Sequence, residues 1–153
     1  MIFITLGSQK FQFNRLLKAV DDLDLEEDVF AQIGYSDYKP IHYAYKTFLN
    51  RDEFTATMGK ADIVITHGGT GAIIGAVKKG KKVIAVPRLA KYGEHVDDHQ
   101  LQLVEQFREL NLIYACEDGD LKKALQEVRK TQYKAYVSNT SRIIQSIEEY
   151  INE

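Results

Sequence analysis

A chain of 153 residues with 44% hydrophobic and 27% charged residues fits one soluble domain, which at this length buries roughly 70% of its unfolded surface. Its formal net charge of −2, from 20 basic and 22 acidic residues, argues against a nucleic-acid binder driven by bulk charge. The single cysteine, Cys116, excludes an intrachain disulfide and fits a reducing cytosol, and no apolar run approaches the ~18 residues of a membrane span. The start Met1-Ile-Phe-Ile-Thr-Leu lacks the basic segment of a signal peptide, so membrane contact is expected only through a surface patch or a partner.

Ile2 to Leu6 reads as a short apolar strand, broken by Gly7-Ser8, and Phe13 to Val20 has helical spacing through Phe13, Leu16, Leu17 and Val20. An acidic turn region over Asp21 to Asp28 precedes a second strand, Val29 to Gly34. Ile41 to Leu49, rich in aromatic and β-branched residues, reads as a third strand, and Arg51 to Lys60 as a short helix. Asp62 to Thr66 holds Ile63, Val64 and Ile65 in succession, the pattern of a strand covered on both faces. Gly71 to Lys79 is helical with Gly80 as its stop, and Lys82 to Val86 is another continuous apolar strand. After a loop from Pro87 to Val96, a helix over Asp97 to Leu110 sets Leu101, Val104 and Phe107 on one side. Leu112 to Cys116 is a strand, Asp118 opens a helix running to Lys130, and Ser138 to Ile151 is an amphipathic helix with Ile143, Ile144, Ile147 and Ile151 on one face. Strands alternating with helices over residues 1–153 imply one α/β, Rossmann-like domain with a parallel sheet. The polar loops Gly7 to Phe11, His67 to Gly71 and Pro87 to His99 should therefore meet beyond the C-terminal ends of the strands.

Three segments carry chemistry. His67-Gly68-Gly69-Thr70-Gly71 lies between a strand and a helix. Glycines there let backbone approach an oxyanion, and the helix N-terminus favours negative charge. Thr70 can cap the helix or donate its hydroxyl. The same glycines would also serve a plain tight turn. The spacing is neither that of a P-loop nor of the dinucleotide fingerprint. The second segment, Pro87 to Gln100, places Arg88 and Lys91 to neutralise phosphate, and Glu94 and Asp98 to accept from hydroxyls. Asp97 or Asp98 caps the following helix. His95 and His99 stand four apart with Asp98 between them, but without a third ligand or a Glu-x-x-His context no metal is expected. The third, Thr5-Leu6-Gly7-Ser8, is a small turn over which a ligand could lie. Tyr35, Tyr38, Tyr43, Tyr45 and Phe48 form an aromatic patch that strand packing mostly explains, with a docking surface as the alternative.

Thr5-Leu-Gly-Ser, then Ala61-Asp-Ile-Val-Ile-Thr-His-Gly-Gly-Thr-Gly, then Gly80-Lys-Lys-Val-Ile-Ala-Val-Pro-Arg, then Glu94-His-Val-Asp-Asp-His-Gln, resemble in order and spacing the C-terminal, donor-binding half of family 28 glycosyltransferases. The short chain is similar to Alg13-type subunits, and more closely to PssE-like subunits of capsule and exopolysaccharide β-1,4-glycosyltransferases. The resemblance implies half of a GT-B enzyme: an inverting hexosyltransferase using a UDP-sugar, with no cofactor and no metal at the diphosphate. A membrane-associated Alg14/PssD-like partner would bring a lipid-linked acceptor and hold the chain at the cytoplasmic face of the membrane. It further implies that Gly7, Ser8 and the loop His67, Gly68, Gly69, Thr70 and Gly71 hold the diphosphate. Pro87 and Arg88 would lie near the base, with Glu94, Asp98, His99 and Gln100 facing sugar and ribose. His67 is a candidate base by chemistry alone, and the analogy puts the base in the partner. Many family members bind ribose through an acidic residue in the helix after the glycine loop. Counting back from Gly80, that position is Gly75, so ribose recognition would fall to another residue such as Glu94. A non-catalytic nucleotide-sugar-binding regulatory module and an epimerase-like enzyme are the other classes this motif set admits.

Overall fold

The computed structural model describes residues 1–135; the amphipathic helix expected over residues 138–151 lies outside them. Six strands form one sheet: β1 (Ile2–Thr5), β2 (Val29–Gln32), β3 (Ala44–Lys46), β4 (Ile63–His67), β5 (Lys82–Val86) and β6 (Tyr114–Ala115). Their order is β3-β2-β1-β4-β5-β6, and each pairing is parallel. This is the doubly wound arrangement, in which the chain reverses direction across the sheet between β1 and β4. A crevice opens at such a switch point beyond the strand C-termini, which places the turn after β1 beside the turn after β4.

The apolar runs of β1, β4 and β5 make sense on this sheet because both faces are covered. Ile2, Ile4, Ile63, Ile65 and Ile84 meet one face's helices, α1 (Asn14–Asp21) and α5 (Leu121–Lys130), through Leu16, Leu17, Val20, Leu121, Leu125 and Val128. Phe3, Val64, Val83 and Ala85 meet the other face's helices, α2 (Arg51–Lys60), α3 (Thr70–Lys78) and α4 (His99–Glu109), through Met58, Ile73, Val77, Leu103, Val104 and Phe107. Phe3 is fully buried and packs edge-on to Phe54 with ring centroids 5.5 Å apart. Truncating it to alanine would cost about 3–5 kcal/mol.

Helix ends follow local chemistry. In α2, Asn50 accepts from the Glu53 N–H while the Glu53 carboxylate accepts from the Asn50 N–H, which satisfies two orphan donors reciprocally. Asp120 caps α5 through the Lys123 N–H at 3.0 Å. Gly80 ends α3 with φ +72°, a conformation that a side chain would strain.

The structure departs from the sequence reading in several places: β6 spans Tyr114–Ala115 rather than residues 112–116, α5 is opened by Asp120 rather than Asp118, and three further differences have a local cause. Strand β3 spans Ala44–Lys46 rather than residues 41–49, because the residues before it are tied to Asp21. That carboxylate, 2% exposed at the end of α1, accepts from the Tyr38 hydroxyl (2.6 Å) and from the N–H groups of Ile41 (2.9 Å) and His42 (2.8 Å). Burial alone would push the carboxyl up; the hydroxyl and the two N–H groups outweigh it and hold it below the usual range. Asp21 thus takes up the donors of a β2–β3 crossover that has no helix. Helix α4 starts at His99, not Asp97, because the Asp97 carboxylate accepts the His99 N–H at 2.9 Å. Its buried face is Gln100, Leu103, Val104 and Phe107, so a glutamine takes the core position that an apolar count gave to Leu101. The aromatic patch divides: Tyr38, Tyr43 and Tyr45 pack against the core, while Tyr35 and Phe48 stay about half exposed and meet edge to face at 5.3 Å.

Candidate functional site: three loops at the C-terminal edge of the sheet

The loop after β4 is shaped by what its glycines exclude. His67 is buried, and its ring lies between Gly7 and Gly69. A Cβ on Gly69 would stand 2.2 Å from the ring's Cε1, and one on Gly7 would stand 2.6 Å from Nε2. Gly68 is pressed against α4, where a Cβ would fall 2.8 Å from Gln100 Cβ. Gly71 differs: it is exposed, and a Cβ there would meet nothing within 4 Å. Helix α3 begins at Thr70 with Gly69 as its extended N-cap residue, and no side chain caps it. The Thr70 hydroxyl, expected either to cap or to donate, makes no hydrogen bond within the described residues, and neither does that of Ser8. Unlike α2 and α5, this helix presents bare N–H groups and the positive end of its dipole to the crevice.

The loop after β5 turns inward. Arg88, expected near the base and the phosphates, is 1% exposed. Its guanidinium donates to the carbonyls of Leu6 (2.8 Å), Phe11 (2.9 Å) and Glu94 (3.4 Å), and it lies over the Phe13 ring. Burial lowers its pKa to about 10, offset by the charge of Glu94, so it stays positive. Its Nε is the one buried side-chain polar atom without a partner among the described residues. Glu94, expected to face sugar or ribose, is 3% exposed and bound by Arg15 through two bonds of 3.0 Å, while also accepting the Leu89 N–H at 3.1 Å. Arg15 also stacks on Tyr92, 4.8 Å from its centroid. Asp98 accepts the Ala90 N–H at 2.9 Å, and Lys91 lies 5.0 Å from the Tyr92 centroid. The His99 ring, half-buried, makes no hydrogen bond among the described residues.

Gln100 joins all three loops. Its Oε1 accepts the N–H groups of Gly68 and Arg88, both at 3.0 Å. Its Nε2 lies 3.2 Å from His67 Nδ1 and 3.4 Å from Gln9 Oε1. It is 2% exposed, so the residue expected to contact sugar is spent within the protein. His67 has its pKa lowered to about 4, by burial first and then by the positive charge of Arg88.

The three loops therefore converge, as their positions after strand ends require. Over residues 1–152 the sequence matches the Glycosyltransferase family 28 C-terminal domain. The chain belongs to this family. Among curated relatives, the human UDP-N-acetylglucosamine transferase subunit ALG13 is 25% identical over 126 residues, covering 75% of this chain and 11% of its own length. The chain spans 11–50% of the lengths of the curated relatives it matches. Among solved structures, an NMR solution structure of ALG13 aligns with a TM-score of 0.66 at 18% identity, covering 99% of this chain and 96% of that one. CalG4, the calicheamicin glycosyltransferase, aligns with a TM-score of 0.60 at 16% identity, over 99% of this chain and 38% of that one. The family match shows a family 28 domain, and the structural likenesses show its Rossmann-like fold.

Within this family domain, the sequence reading missed Arg15 and Gln9. Arg15 lies between core residues of α1, and its partner Glu94 is 79 positions away, so no local pattern marks the pair. A cavity of about 480 Å³ opens beside that pair, lined by Lys10, Gln12, Asn14, Arg15, Tyr92 and Glu94. At position 75, half-buried on α3, a Cβ would meet nothing within 4 Å, so the glycine there leaves open space.

Proposed function

We propose that this chain is the donor-binding half of an inverting GT-B glycosyltransferase that transfers a hexose from a UDP-sugar to a lipid-linked acceptor in capsule or exopolysaccharide synthesis. It would act at the cytoplasmic face of the membrane with an Alg14/PssD-like partner that supplies the other half of the cleft. The observation that carries this reading is the uncapped start of α3, with Gly71 open above it, at the switch point of a family 28 domain. Departure of UDP places negative charge on the diphosphate, and preorganised N–H donors stabilise that charge without reorganising. Gly7, Ser8 and the backbone from Gly68 to Gly71 form the cradle. The Thr70 and Ser8 hydroxyls are free to donate to phosphate oxygens. Arg88 contributes through its field rather than by contact, since it is 1% exposed and its terminal NH₂ groups donate to the carbonyls of Leu6, Phe11 and Glu94. Pro87 lies beside the base, and exposed Asp98 and half-buried His99, whose ring makes no hydrogen bond among the described residues, face sugar and ribose. Ribose does not fall to Glu94, whose oxygens are bound by Arg15. With its pKa lowered to about 4, His67 holds a proton too weakly near neutral pH to be an effective base, and the base belongs to the partner.

Calorimetric titration of the chain with its partner tests this, using UDP, UDP-glucose, UDP-galactose and UDP-N-acetylglucosamine. Binding of UDP and of one UDP-sugar, with hexose transfer to a lipid-linked acceptor, is expected. A folded pair that gives no heat with any of the four would remove the reading. Binding without turnover would leave a regulatory module, and turnover by the chain alone an epimerase-like enzyme.

A further inference from the structure

We propose that Gln100 is a positioning residue that locks His67 in one tautomer, with the proton on Nε2 facing the Gly7 turn. A primary amide has two acceptor sites on oxygen and two N–H donors. In Gln100 all four are engaged. Two backbone N–H groups, of Gly68 and Arg88, converge on one side-chain atom, and only the oxygen can accept them. The amide orientation is thereby fixed by donors that cannot flip. The NH₂ group must then point at His67 Nδ1 and at Gln9 Oε1. A ring nitrogen that receives an N–H carries a lone pair, so Nδ1 is unprotonated and the neutral ring keeps its hydrogen on Nε2.

The surroundings oppose the imidazolium. The ring is buried, and the charged or titratable groups acting on it are Arg88 and His95, neither of which favours a second proton. Nε2 sits where a Cβ on Gly7 would be 2.6 Å away, so its hydrogen faces the turn joining β1 to α1, between the loops after β1 and β4. The lock makes His67 a fixed donor, a neutral counterpart of the backbone N–H groups beside it, and removes Nδ1 from any proton-accepting role. Because one amide also holds the Gly68 and Arg88 N–H groups, it ties the tautomer to the relative placement of the two loops. The donor's role toward a diphosphate rests on the function proposed above; the tautomer itself does not.

The test is ¹⁵N NMR of the histidine rings in the full chain, without ligand. His67 is expected to show a pyridine-like Nδ1 and a pyrrole-like Nε2, unchanged between about pH 6 and 8. A pyridine-like Nε2, or a His67 that titrates in that range, would overturn the proposal, and this measurement needs no variant to fold. In Gln100→Glu the carboxylate still accepts both backbone N–H groups but cannot donate to Nδ1, so Nδ1 becomes pyrrole-like. An unchanged ring pattern in a folded Gln100→Glu would also overturn it. UDP-N-acetylglucosamine and UDP-glucose then separate the two readings. If the tautomer is found and neither ligand binds, the donor-site reading fails alone. If one binds while Nε2 is pyridine-like, the lock fails alone. Where both hold, Gln100→Glu should weaken binding by on the order of tenfold, the loss of one hydrogen bond to a charged group.

Discussion

The loops after β4 and β5 end side by side at one edge of the sheet and are built on opposite plans. The first is almost bare of side chains. Its glycines press against His67 and α4 on the inside, and at Gly71 it is open on the outside. The second is dense with charge, yet Arg88 and Glu94 are 1% and 3% exposed and hydrogen-bonded within the protein. Charged residues near a site need not touch its ligand. Here they hold a backbone surface in shape, and in the function proposed the backbone supplies the donors. Mutations should therefore separate along that line.

The largest effect is expected from breaking the framework. Arg15→Met would leave the buried Glu94 carboxylate without its two Arg15 bonds, and the partial exposure of Arg15 moderates the loss to about 2–4 kcal/mol in urea unfolding at neutral pH. Adding Glu94→Gln should recover part of that loss. A single-variant loss below about 0.5 kcal/mol would mean that the pair is ornamental. Gly69→Ala comes next. Its Cβ collides with the His67 ring, so a stability loss of about 1–3 kcal/mol should accompany loss of UDP-sugar binding. Gly71→Ala sharpens the contrast, because nothing within the protein opposes its Cβ. Thermal melting should be unchanged or raised, with up to about 1 kcal/mol of helix propensity gained. UDP-sugar affinity should nevertheless fall. A variant that binds normally would show that the ligand does not approach Gly71.

The smallest effect lies away from the site, at the β2–β3 crossover. His42 Nδ1 lies 2.9 Å from the Asp21 carbonyl and 3.0 Å from its carboxylate, and its pKa is raised by that carbonyl first, against burial, and then by the charges of Asp24 and Asp21. A raised folded-state pKa gives stability that is complete below the unfolded value of about 6.5 and is lost as pH rises through the folded value. The stability difference between the native chain and His42→Asn should thus shrink from about pH 6 to pH 8.5; a difference that grows would reverse the assignment. Asp21 has the opposite sign: its pKa is depressed, so its contribution is present above about 3.9 and lost in acid.

Most of the sheet was legible because β1, β4 and β5 are apolar runs buried on both faces, and the alternation with helices fixes a parallel arrangement. Strand β3 was not, since aromatic content does not reveal that a carboxylate on α1 takes the donors of residues 41 and 42. At the site, the glycine loop was readable because glycine reports on backbone. The charged loop misled because type and spacing show which groups can bind phosphate, not whether other loops have already engaged them. Gln100 illustrates both: the resemblance assigns it to sugar and ribose, while its four hydrogen bonds reach residues 9, 67, 68 and 88.

The most direct test of the central claim is a backbone-amide NMR titration of the full chain with UDP, the partner being added if the chain alone does not bind. The account predicts the largest shift changes at Gly68 to Ala72 and at Gly7 and Ser8, with Glu94 and the Arg88 side chain little affected. Saturable binding whose changes centre on residues 88–95 and leave Gly68 to Ala72 unmoved would contradict it.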